Sequence, residues 1–75
     1  MKNEILSLLN DVFPGIDFEQ SETLVDDGIL TSLLIVQIIG ELSVEYGIEF
    51  SFEDLVPENF NSLDSIVSMV ERLTK

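Results

Sequence analysis

The stretch from Leu33 to Tyr46 constrains this chain more than any other, because as a helix it is apolar on two opposite sides. Thr31 offers a side-chain oxygen to cap such a helix at its start, and Gly47 suits the left-handed turn that ends one. At steps of about 100° from Leu33, the residues Ile35, Ile38, Ile39, Leu42 and Tyr46 cluster between about 140° and 240°, a complete core face. Leu33, Val36, Gly40 and Val44 fall at about 0°, 300°, 340° and 20°, on the far side. A chain of 75 residues has room for one small domain and cannot cover both faces. The second stripe is therefore expected to dock another protein, unless a short helix folds over it or the chain dimerises through it.

The rest of the chain supplies what this helix packs against. Ile5, Leu8, Leu9 and Val12 recur at the spacing of one helix face, and Phe13-Pro14-Gly15 stops the pattern. From Gly15 to Leu30 no period is sustained, which predicts a long ordered loop pinned by Ile16, Phe18, Leu24, Val25, Ile29 and Leu30. Ser51 followed by Asp54 predicts a capping box on a short helix over Phe52 to Val56, ended by Pro57. Asn61 with Asp64 repeats the signal before a last helix facing the core through Leu63, Ile66, Val67 and Val70. The expected fold is all-α: a small four-helix bundle over residues 1–75 as a single domain, with a long first loop and a short third helix.

Charge narrows the function. Fifteen Asp and Glu stand against three cations, Lys2, Arg72 and Lys75, for a net charge of -12. Without a basic patch, binding to nucleic acid or to an anionic membrane is excluded as an expectation, and a partner that reads the surface electrostatically should be basic. With 45% hydrophobic residues the chain still buries enough apolar area to fold. The least polar run, Gly28 to Gly40, is too short and mixed for membrane insertion, and MKNEILSLL does not read as a secretory signal, so a cytoplasmic location is expected.

Independent catalysis is hard to build here. The chain has no His and no Cys, which removes Ser-His and Cys-His nucleophile pairs and the usual zinc ligands. The alternation of Asp17, Glu19, Ser21 and Thr23 fails as a calcium loop, since its sixth position is Glu22 and its twelfth Gly28. What remains is acid placement. Asp26 and Asp27 precede the long helix, while Glu41 and Glu45 border its second stripe. Glu45 stands in the last turn, where a negative charge opposes the helix dipole by roughly 0.3 to 1 kcal/mol. Ser32 lies just inside the helix start, where a phosphate on its hydroxyl would meet unpaired amides and the positive end of the dipole. A serine at this position is more commonly a capping residue, so the surrounding pattern has to decide.

That pattern is LVDDGILTSLLIVQIIGELSVEYGIE, from Leu24 to Glu49, which resembles the attachment region of the acyl carrier protein superfamily. The matching features are Asp26-Asp27-Gly28, the pair Ser32-Leu33 opening the helix, Glu41-Leu42, and Tyr46-Gly47-Ile48 at its end. The resemblance implies that Ser32 receives 4'-phosphopantetheine from coenzyme A through a phosphopantetheinyl transferase, and that the arm's thiol holds cargo as a thioester. It implies a non-catalytic, monomeric carrier that meets a loading ligase and downstream acyl-transfer enzymes. Leu33, Val36 and Gly40 fall where the family contacts such partners. Fatty-acid carriers usually have an aspartate before the serine, where this chain has Thr31. GILTSLLIVQIIGEL, with PENFNS before the last helix, is similar to D-alanyl carrier proteins and to free-standing carriers of nonribosomal peptide systems. The cargo stays open between fatty, polyketide and aminoacyl groups. The competing class is an unmodified acidic adaptor that uses the helix only as a docking face.

Overall fold

The computed structural model describes residues 1–74. Among them the regular elements are α1 (Lys2–Val12), α2 (Ser32–Tyr46) and α3 (Leu63–Leu73), with two single 3₁₀ turns, Phe52–Asp54 and Pro57–Asn59, between α2 and α3. No strand occurs among the described residues, so the expected all-α bundle with a long loop after its first helix is the observed one.

The core is continuous across these elements. Ile5 and Leu9 of α1, Ile38 and Leu42 of α2, and Leu63, Ile66, Val67, Met69 and Val70 of α3 are buried together. The long loop contributes Phe13, Phe18, Leu24 and Leu30, and the segment before α3 contributes Ile48 and Phe60. The Phe13 and Phe18 rings pack at a tilt, 6.4 Å between centroids. No polar side chain among the described residues is buried, so the core is purely apolar. It therefore forces no hydrogen-bonding demand on the fold.

Several local expectations need correction. Ile29 projects out of the loop and Val12 out of α1, so neither belongs to the core. The short third helix is a 3₁₀ turn of three residues, which exposes Phe52 almost completely, at 90%. Its cap survives in part: the Asp54 carboxylate accepts from the Ser51 amide at 2.9 Å and from its hydroxyl at 3.1 Å. A second turn opens on Pro57, and Asn59 joins the two by donating its side-chain nitrogen to the Asp54 carbonyl at 2.8 Å. Between Ile48 and Phe60 no side chain is buried, so nothing apolar repays extending a helix there. The cap of α3 is Ser62, whose hydroxyl accepts from the Ser65 amide at 3.1 Å, and Asn61 serves a different purpose.

Candidate functional site

Ser32 is the first residue of α2 and is exposed. Thr31 caps the helix in extended backbone conformation, its hydroxyl accepting from the Leu34 amide at 3.4 Å, while the Ile35 amide donates to the Thr31 carbonyl at 2.9 Å. The amides of Ser32 and Leu33 precede the first intrahelical bond and point toward solvent at the helix start. The helix they open is 15 residues long and has no acid in its first turn. The partial positive end of the dipole is therefore unopposed where an anion on Ser32 would sit. An exposed hydroxyl, free amides and no adjacent carboxylate fit a phosphodiester at this serine.

The loop before Ser32 is built as a sequence of turns. Asp27 N donates to the Thr23 carbonyl at 2.8 Å, Gly28 N to Val25 at 3.0 Å, and Leu30 N to Leu24 at 2.9 Å. Gly28 adopts φ 78°, a left-handed conformation that other residues resist. Asp26 and Asp27 are both exposed, and both carboxylates accept hydrogen bonds. The Asp27 carboxylate accepts from the Thr23 hydroxyl at 2.5 Å, and the Asp26 carboxylate from the Asn61 side chain at 3.3 Å. Asn61 is the residue that sequence reasoning missed here, because its position before α3 also suits a helix cap. Its only sequence signal is that it stands directly before a second good capping residue, Ser62.

Down α2 the far stripe is open. Leu33 is 68% exposed, Val36 62% and Val44 87%, while Gly40 lies exposed among them with free space where a Cβ would stand. Neither 3₁₀ turn covers it. On the opposite side Ile38 and Leu42 are completely buried, with Ile35, Ile39 and Tyr46 packed beside them. Glu41 and Glu45 are exposed. Glu45 also lines a groove between α1 and the end of α2, together with Glu4, Asp11 and Tyr46, so its charge faces α1. Burial, and then the charges of Glu4 and Glu45, hold the Tyr46 phenol above its ordinary pKa. Ile29, exposed at 42%, adds an apolar side chain at the loop end that leads into α2.

The described residues form a small helical bundle that presents an exposed serine at the start of its longest helix. The family model for the phosphopantetheine attachment site matches residues 3–73, nearly the whole chain, and the protein belongs to that family. It is a carrier for 4'-phosphopantetheine rather than a catalyst, and as a family member it is served by a phosphopantetheinyl transferase and by acyl-transfer enzymes downstream. No solved structure matches it. Among the described residues no helix is long and apolar enough to cross a membrane.

Proposed function

We propose that Ser32 carries the arm, and that the face of α2 formed by Leu33, Val36, Gly40 and Val44 docks the enzymes that load and unload it. The observation that carries this is the coincidence of an exposed serine at the start of α2 with an uncovered apolar stripe running down the same helix. In the attachment reaction the Ser32 Oγ–phosphorus bond forms as the bond from that phosphorus to the adenosine bisphosphate half of coenzyme A breaks. The first turn of α2 offers no carboxylate to take the hydroxyl proton, so the transferase supplies the base. When attached, the arm supplies a thiol that this cysteine-free chain lacks, and holds the cargo there as a thioester.

Residues 1–75 form one carrier unit, monomeric because its exposed stripe is reserved for transient contacts with successive partners. Asp26, Asp27, Glu41 and Glu45 favour partners with basic docking sites, and each of these acids is exposed. The cargo is an acyl or aminoacyl group, the aminoacyl class being supported by the similarity of GILTSLLIVQIIGEL and PENFNS to D-alanyl and peptidyl carriers.

Incubation with coenzyme A and a broad-specificity transferase, followed by intact-mass measurement, tests the site. The wild-type chain is expected to gain one 4'-phosphopantetheine and Ser32→Ala none. A mass gain retained in Ser32→Ala moves the arm to another residue, and no gain in the wild type removes the assignment.

A further inference from the structure

We infer that Asn61 is a positioning residue for the reaction at Ser32, acting from the far side of the chain through the loop that leads into α2. The inference rests on Ser32 as the attachment site. Asn61 makes four hydrogen bonds to that loop. Its carbonyl accepts from the Leu24 amide at 2.9 Å, its side-chain oxygen from the Val25 amide at 2.8 Å and the Asp26 amide at 3.1 Å, and its side-chain nitrogen donates to the Asp26 carboxylate at 3.3 Å. No other side chain outside the loop hydrogen-bonds to residues 13 to 31 among the described residues.

The connection from Asn61 to Ser32 is short. Leu24, held by the Asn61 backbone, accepts from the Leu30 amide, which closes residues 24 to 30 into a ring. Leu30 is followed by the cap Thr31 and then by Ser32. Leu24 and Leu30 are buried and would remain so without the clamp. The stretch from Asp26 to Ile29, in contrast, is exposed on every residue and has no core anchor of its own. The Asn61 side chain thus orders the surface that a transferase meets beside Ser32, while the core is held by other residues. Its loss leaves the Asp26 amide accessible to water, so the effect falls on loop order more than on folding.

A loop that is ordered in only a fraction of molecules weakens apparent affinity by that fraction. In transferase kinetics Asn61→Ala is expected to raise KM for the carrier about five- to tenfold with kcat within about twofold, because chemistry at Ser32 itself is unaltered. Asn61→Asp sets two carboxylates against each other and is expected to be impaired similarly. Asp26→Asn removes an acid that partners read but lets the same bonds form with Asn61→Asp, donor and acceptor reversed, so Asp26→Asn alone serves as the reference for the pair. On the Asp26→Asn background, adding Asn61→Asp is expected to change KM by less than about twofold. Circular dichroism before each assay checks that α1, α2 and α3 are intact.

Wild-type kinetics in a folded Asn61→Ala would overturn the positioning role while leaving Ser32 in place. So would an Asn61→Asp exchange that raises KM as much on the Asp26→Asn background as on the wild type, and this second comparison decides the matter even if Asn61→Ala fails to fold. A wild-type chain that gains no mass overturns the Ser32 assignment first, and this role with it.

Discussion

Tyr46 closes the groove between α1 and α2 with its ring against the core and three acids, Glu4, Asp11 and Glu45, lining the same groove. Burial comes first among the causes that raise its phenol pKa, followed by the charges of Glu4 and Glu45. A phenol with a raised folded pKa favours its neutral form in the native state. The stability it contributes is complete below the unfolded pKa of about 10 and is lost as pH rises through the folded value. Lys2 follows the same direction, since its hydrogen bond and attraction to Asp64, 2.8 Å away, raise its pKa. Urea unfolding from about pH 8 to pH 11 should therefore show stability falling at the alkaline end. Tyr46→Phe should flatten part of that fall and leave the share of Lys2; an unchanged slope would mean that the phenol titrates alike in both states. Thr31 and Ser51 were legible as capping residues because a cap depends on neighbours within one turn. Asn61 was not, because its partners lie 35 and 36 residues away and no local pattern encodes them.

At the scale of elements, α2 shows why its two faces could be read before its surroundings were known. Helical angle depends only on residue spacing, so Ile38 and Leu42 on one side and Leu33, Val36 and Val44 on the other follow from the sequence. The extent of the short helix did not follow, since Phe52 and Leu55 look like core residues until one sees that the chain leads them away from the core. Gly40 turns this reading into a measurement. A glycine inside a helix destabilises it by roughly 0.5 to 1 kcal/mol relative to alanine, and a Cβ at this position meets nothing within 4 Å. Gly40→Ala should therefore raise the thermal midpoint by several degrees, about what 0.5 to 1 kcal/mol gives in a domain this small. If partner enzymes approach the stripe closely at its centre, the same variant should raise KM for at least one of them. Greater stability combined with weaker docking would assign the glycine to partner contact; unchanged kinetics with every partner would place that contact nearer Leu33 or Val44.

For the whole molecule the dominant quantity is its net charge of -12, spread over a body whose longest dimension is 29 Å. At about 0.01 M salt the screening length is about 30 Å, so every acid repels every other across the full molecule; at about 0.5 M it shrinks to a few ångströms. The ion pairs that salt would weaken among the described residues, Met1 with Glu4 and Lys2 with Asp64, are exposed and contribute little. Self-repulsion therefore outweighs pair attraction, and adding sodium chloride should raise the urea midpoint without changing its slope. Docking to a basic partner has the opposite sign, because salt screens an attraction between molecules. Across one titration the carrier should become more stable while KM for its transferase rises. A carrier that loses activity merely by unfolding would show both quantities worsening together. Separation of the two trends distinguishes an acidic docking surface from an acidic composition that serves only to keep the chain apart from its copies. A urea midpoint that falls with salt would show that the few ion pairs outweigh the repulsion, and a KM indifferent to salt would leave docking to the apolar stripe of α2 alone.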